Sequence, residues 1–168
     1  MEEKKNLLIL GAGQYGRVVL ETAVAMGSFV KIDFLDDNNP IAVGKLAEYG
    51  QLKDRYDCAF VAIGNAAVRM QWLESLARDG LKAAVLVHPK AYVSPSALLG
   101  EGTIVEPMAV VNAEAVVGKG GLLCAGCVVN HNAKVLDCCQ IDCNAVVAAN
   151  AVVPEGTKVR SGSVFERN

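Results

Sequence analysis

The sequence is short of several things. It holds two histidines and one tryptophan, and its 16 basic and 18 acidic side chains leave a net charge of −2. A protein that grips nucleic acid needs a basic face, and this balance provides none. No apolar run approaches the roughly 18 residues of a membrane span. At the N-terminus, Met1-Glu2-Glu3-Lys4-Lys5-Asn6 passes straight into Leu7-Leu8-Ile9-Leu10, an apolar run too short for a signal peptide that opens a glycine loop instead. These absences point to a cytoplasmic protein whose six cysteines stay reduced. What is abundant is apolar: 52% hydrophobic against 20% charged residues supports a packed core over disorder.

The second half repeats. From Val93 an aliphatic residue recurs at every sixth position, through Leu99, Val105, Val111, Val117, Leu123, Val129, Val135, Ile141, Val147 and Val153 to Val159, twelve positions without an insertion. Four residues after each stands a small one, from Ala97 and Thr103 to Thr157 and Ser163. Neither a 3.6-residue helix nor a period-2 strand produces this spacing. A coil with three flat sides does, each hexad making one side and one corner. Three hexads make an 18-residue coil, and residues 18 apart stack at about 4.8 Å through parallel-sheet hydrogen bonds. Twelve hexads therefore predict about four coils of parallel β-helix.

The first 90 residues have another grammar. Strands are expected at Asn6–Leu10, Phe29–Leu35, Cys58–Ile63 and Leu81–Val87, with helices at Arg17–Met26 and Ala66–Asp79, the latter carrying Trp72. Strand alternating with helix implies a small parallel α/β sheet. His88-Pro89 stands at the junction, where proline would end the last strand. The expected domains are 1–90 and 91–168.

Gly11-x-Gly13-x-x-Gly16 directly follows a strand and precedes a helix. Small residues there let a phosphate approach the backbone, and a helix N-terminus favours an anion. Asp36, 20 residues past Gly16 and at the end of the second strand, is placed to accept hydrogen bonds from a ribose or base. About 90 residues are half of a dinucleotide fold. A mononucleotide-linked ligand therefore fits better than NAD(P), and a small NAD-dependent oxidoreductase would rest on the glycine loop alone.

Of the two histidines, His88 reads as structural. His131 lies near a corner of the coil, with Ala113 and Ala149 one coil away on either side leaving space for a ligand. A neutral imidazole there can take a proton from an attacking amine or hydroxyl. Cys124-x-x-Cys127 invites a zinc reading, which the repeat disfavours. Cys127 and Cys139 fall in the small-residue column, and stacking sets Cys124 beside Asp142, so four thiols are not gathered and no metal is expected.

Taken in order, Gly11-Ala12-Gly13-Gln14-Tyr15-Gly16-Arg17, Asp36-Asp37, Ile63-Gly64-Asn65 with Arg69, His88-Pro89-Lys90-Ala91 and Val129-Asn130-His131-Asn132 resemble the sialic-acid O-acetyltransferase-like family, which includes UDP-4-amino-sugar N-acetyltransferases. The resemblance implies a Rossmann-like domain followed by a left-handed β-helix. It also implies a homotrimer, with acetyl-CoA between neighbouring subunits. Gly11, Gly13, Gln14, Tyr15 and Gly16 would cradle phosphate, Asp36 and Asp37 would face the base, and Gly64, Asn65 and Arg69 would close the pocket. His131 would be the general base, and Gln140, Lys134 and Ala149 would border the coenzyme. Where relatives carry a carboxylate after the histidine, this chain has Asn132, and Glu114, one coil earlier, is the substitute expected to orient the ring. Cys124 and Gln140 replace an asparagine and a second histidine of many relatives. A catalytically silent, nucleotide-sugar-binding trimer is the competing expectation.

Overall fold

The structure, a computed structural model, describes residues 5–166. Two compact units divide between Ala84 and Val85.

The first unit is a parallel sheet with helices. Strand β1 (Lys5–Leu10) leads to helix α1 (Gln14–Met26), β2 (Phe29–Leu35), the short helix α2 (Tyr49–Leu52), β3 (Cys58–Val61), helix α3 (Ala66–Arg78) and β4 (Lys82–Ala83). The order across the sheet is β2-β1-β3-β4, all parallel. Leu7 to Leu10 are fully buried, the continuous apolar run required of a central strand covered on both faces. Gly27, at φ 67°, ends α1 in the left-handed conformation. The chain leaves β1 towards β2 on one side and continues from β3 to β4 on the other. The carboxyl ends of β1 and β3 thus diverge at a topological switch point, where open α/β sheets form their crevice.

The second unit is a β-helix. Fourteen two-residue strands, from β5 (Leu86–Val87) to β18 (Val164–Phe165), form three parallel sheets. Every pairing joins residues 18 apart, as in Val110↔Val128↔Val146. The aliphatic column and the small column together make the core. Val105, Val111, Leu123, Val129, Ile141, Val147 and Val153 are fully buried, as are Ala109, Ala115, Cys127, Ala133, Cys139, Ala145 and Ala151. From Gly102 onward, the corner residue three before each core position adopts positive φ. Gly102, Gly120, Gly126, Gly156 and Gly162 do so, and so do Met108, Glu114, Asn132, Cys138, Asn144 and Asn150.

Several boundaries differ from expectation. Helix α1 starts at Gln14 rather than Arg17, because the chain turns helical directly after Gly13. Strand β3 ends at Val61, and Ile63 belongs to the loop. The strand expected over Leu81–Val87 is two strands. Lys82–Ala83 closes the α/β sheet beside Cys58–Ala59, whereas Leu86–Val87 pairs with Ile104–Val105 and is the first rung of the β-helix. Val87 stands six residues before Val93 and is followed four later by Ala91, so it obeys the repeat.

Candidate functional site

The glycine loop sits at the switch point of the first unit. Gly11 has φ 104°, and a Cβ there would come 2.9 Å from the Ala62 carbonyl oxygen. A Cβ on Gly16 would lie 2.3 Å from the Gly11 carbonyl oxygen, so only glycine lets α1 pack onto the loop. Gly13 is different. It is the N-cap of α1, and a Cβ there would meet nothing within 4 Å. The loop is thus closed against protein at Gly11 and Gly16 and open to solvent at Gly13. No acidic residue stands in the first turn of α1, so its dipole favours an incoming anion. Gln14 is exposed and Tyr15 half-buried at that turn.

Asp36 is turned towards the loop. Its Oδ2 accepts from Ala12 N at 2.8 Å, and Oδ1 accepts from the backbone N–H of Asn38 and of Asn39, both at 2.9 Å. The Ala12 bond, with those from Asn38 and Asn39, outweighs partial burial and holds the carboxyl below its ordinary value of 3.8. A lowered native value means that this stabilisation is complete above pH 3.8 and is lost as pH falls through the lower native value. Protection of the loop amides against exchange is therefore expected to hold above pH 3.8 and to be lost only as pH falls further, a profile that Asp36→Asn should abolish. Asp37 is exposed, and its Oδ1 accepts from Leu46 N at 3.1 Å. Asn39, which the sequence reading did not single out, donates from Nδ2 to Ala12 O at 2.6 Å. Its place in the turn-forming run Asp36-Asp37-Asn38-Asn39-Pro40 is the signal for it.

On the opposite side, Gly64 is exposed, and Asn65 caps α3 by accepting from Val68 N at 3.0 Å. Arg69 corrects an expectation. It is 1% exposed, and its Nη1 donates to the carbonyls of Ile63 at 2.8 Å and Gly64 at 3.0 Å. The guanidinium shapes the loop from beneath instead of facing a ligand.

His131 lies in the second unit, exposed at a corner of the coil. Its backbone N donates to Asn130 Oδ1 at 2.8 Å, and that oxygen also receives Asn112 Nδ2 from the coil before at 3.3 Å. Nδ1 lies 3.1 Å from Asn132 Oδ1. With that oxygen as acceptor, the ring proton resides on Nδ1 and the Nε2 lone pair is left to accept a proton. Asn132 adopts φ 58°, a conformation that asparagine tolerates better than most residues, so one side chain meets the needs of both corner and ring. The ring contact expected of Glu114 is thus made by Asn132. Glu114 is exposed one coil away, its backbone N donating to Ser96 Oγ at 3.1 Å. Ala113 and Ala149 flank His131 in the stack, as the repeat required.

Gln140 and Lys134 are on other sheets. Lys134 is exposed between Val116 and Val152. Gln140 Nε2 lies 3.5 Å from Asp142 Oδ1 and 4.0 Å from Cys124 Sγ. Burial pushes the Cys124 thiol well above its ordinary value, and the Glu106 and Asp142 carboxylates push it the same way. Burial resists ionisation of Asp142, but Lys158 Nζ at 3.3 Å, together with hydrogen bonds from Cys143 N and Ser161, outweighs it and lowers that carboxyl. Burial likewise drives Cys127 up to about 12, so the paired cysteines behave as small apolar groups. Among the described residues, no three His, Cys, Asp or Glu side chains converge as metal ligands. No described helix is long and apolar enough to cross a membrane.

A glycine loop at the switch point of a parallel sheet, followed by a β-helix with an exposed corner histidine, defines a hexapeptide-repeat acyltransferase architecture. Comparison with known proteins agrees. Residues 6–76 match the PglD N-terminal domain family. The acetyltransferase domain of PglB from Neisseria gonorrhoeae FA1090, solved in complex with acetyl coenzyme A, is 31% identical. It superposes with a TM-score of 0.88 over 98% of this chain and 86% of that one. PerB from Caulobacter crescentus, solved in complex with CoA and GDP-perosamine, shares the fold at 24% identity and a TM-score of 0.84, covering 97% of this chain and 89% of that one. UDP-N-acetylbacillosamine N-acetyltransferase of Bacillus subtilis is 34% identical over 109 residues, which span 60% of this chain and 50% of that relative. The chain belongs to the sialic-acid O-acetyltransferase-like family of hexapeptide-repeat acetyltransferases, the family of the UDP-4-amino-sugar N-acetyltransferases.

Proposed function

We propose that the protein transfers an acetyl group from acetyl-CoA to the amine of a nucleotide-linked amino sugar. The observation that carries this reading is the setting of His131: Nδ1 lies 3.1 Å from Asn132 Oδ1, a contact that suits the tautomer with a basic Nε2, and alanines stand at 113 and 149 where substrates need room. The neutral amine attacks the thioester carbonyl carbon while Nε2 takes the N–H proton. The tetrahedral intermediate then collapses, the C–S bond breaks, and the CoA thiolate leaves with the proton carried by His131. His131 is the catalytic base and Asn132 its positioning residue, while Glu114 is left outside the ring's hydrogen bonding. The glycine loop from Gly11 to Gly16 holds the nucleotide phosphates, and Asp37, Gly64 and Asn65 border the pocket.

Coenzyme A is expected near Ala149, Lys134 and Gln140. Ala149 stacks on His131 one coil further on, whereas Lys134 and Gln140 lie on the two other sheets, which favours a site completed by a second copy of the chain. Two sheets present largely apolar outer faces that fit such an assembly: Leu98, Val116 and Val152 on one, interrupted by Lys134, and Tyr92 and Val164 at the ends of the other, all exposed. A homotrimer accounts for both. The cysteines, none of them in a disulfide, suit a reducing cytoplasm where acetyl-CoA is made.

Asn132 favours a second reading, because a neutral amide stabilises an imidazolium less than a carboxylate does. Titrating acetyl-CoA into the protein by calorimetry, with and without a UDP-linked amino sugar, separates the two. Micromolar binding and turnover when the sugar is added support the enzyme. Sugar binding without detectable CoA binding would make this a silent relative.

A further inference from the structure

We infer that Asp36 is a positioning residue that clamps the phosphate loop and does not grip the ribose, so that the pocket accepts 2′-deoxynucleotides as readily as ribonucleotides. The inference rests on the nucleotide reading above and sharpens it.

In a strand–glycine loop–helix–strand unit, an acid at the end of the second strand normally serves the ribose hydroxyls. To take two hydroxyls it needs both carboxylate oxygens directed outwards. Asp36 has them directed elsewhere. A carboxylate offers about four acceptor sites, two on each oxygen. Asn38 N and Asn39 N, each at 2.9 Å, fill both sites of Oδ1, and Ala12 N at 2.8 Å takes one of Oδ2. The single site left lies on Oδ2, the oxygen already held by Ala12 N, so a ribose hydroxyl would have to share that oxygen with the loop it positions.

The same turn grips the loop from a second direction. Asn39 Nδ2 donates to the Ala12 carbonyl at 2.6 Å, and the Leu35 carbonyl accepts from Gly11 N at 2.8 Å. The end of β2 therefore holds three consecutive backbone groups of the loop: Gly11 N, Ala12 N and Ala12 O. Ala12 itself is fully buried. Immediately beyond the clamp comes Gly13, the position open to solvent. The clamp fixes the loop on its protein side and leaves its ligand side unobstructed, which is how a charged side chain can serve binding without touching the ligand.

The test uses the full chain, UDP and GDP as probes, and their 2′-deoxy forms, with affinities from calorimetry. Loop amide exchange is followed by NMR in the absence of nucleotide. For whichever ribonucleotide binds, the 2′-deoxy form is expected within about twofold, since no charged hydrogen bond to the 2′-hydroxyl is lost. Asn39→Ala should weaken both forms by the same factor, about tenfold for one hydrogen bond. Asp36→Asn should release the Ala12 amide to rapid exchange, because an amide N–H₂ facing that N–H cannot accept. A penalty of about tenfold or more for the 2′-deoxy form, removed in Asp36→Asn, would make Asp36 a ribose ligand and overturn this inference alone. Binding of neither diphosphate would overturn the nucleotide reading and this inference with it.

Discussion

Replacing His131 with alanine is expected to lower kcat for acetyl transfer by about 10²–10⁴ while leaving the melting temperature unchanged. The size follows from the loss of general-base catalysis. The unchanged stability follows from the stack: the side chain is exposed, and the residues one coil before and after it, Ala113 and Ala149, already show that alanine fits this corner. Asn132→Asp should move the other way. Its carboxylate would stabilise the imidazolium formed as the amine is deprotonated, and a gain of about tenfold is expected. Aspartate also tolerates the left-handed corner that residue 132 occupies, at φ 58°. Steady-state kinetics on both variants, with circular dichroism melts alongside, checks the pair. An unaltered kcat in His131→Ala would mean that another group takes the proton.

The second large effect belongs to Gly16. An added methyl would lie 2.3 Å from the Gly11 carbonyl oxygen, backbone against backbone with no flexible side chain to yield. Helix α1 must lift from the loop, and a loss of about 3 kcal/mol is expected, the upper end of ordinary overpacking. Gly13→Ala is the control. Its methyl meets nothing within 4 Å, so stability should hold; on the proposed function it would stand in the path of the nucleotide phosphates, and nucleotide affinity should fall. Urea unfolding followed by tryptophan fluorescence reads this cleanly. Trp72 is the only tryptophan and packs edge-on against Tyr49 with ring centroids 5.6 Å apart, so its signal reports the first unit. Equal urea midpoints for Gly16→Ala and the wild type would show that α1 can shift at little cost.

The β-helix was legible because its core is a one-dimensional code, in which a large aliphatic and a small residue recur at fixed intervals and both are buried. The first rung was missed for a physical reason. Leu86 and Val87 suit a buried α/β strand as well as a β-helix rung, and only Val87's place six residues before Val93 decides between them. Phe165, six after Val159, is the last rung for the same reason. A third column was also present in the sequence, the corner position held by Gly126, Asn132, Asn144, Asn150, Gly156 and Gly162. Glycine and asparagine recur there because the backbone must turn left-handed.

The sites were legible by location and less so by role. Gly11, Gly16 and His131 sit where the motifs placed them. Arg69 and Asp36 were recognised as belonging to the pocket, yet Arg69 points inward to the Ile63 and Gly64 carbonyls and Asp36 turns onto Ala12. A motif records which residue stands at a position. It carries nothing about whether a charged group finds its partners in the backbone or in a ligand, and that choice depends on the local path of the loop.

The 18-residue register has a consequence for how such a chain tolerates change. Every rung hydrogen-bonds to the ones a full coil before and after it, and inward and outward residues alternate along each rung. Loss of one residue at Val129 would turn every later valine out of the core at a stroke. Loss of eighteen would remove a single storey and let the floors above and below meet in register. Length variation among descendants of this sequence is therefore quantised: its viable insertions and deletions come in whole storeys, or as loops thrown out at the corners.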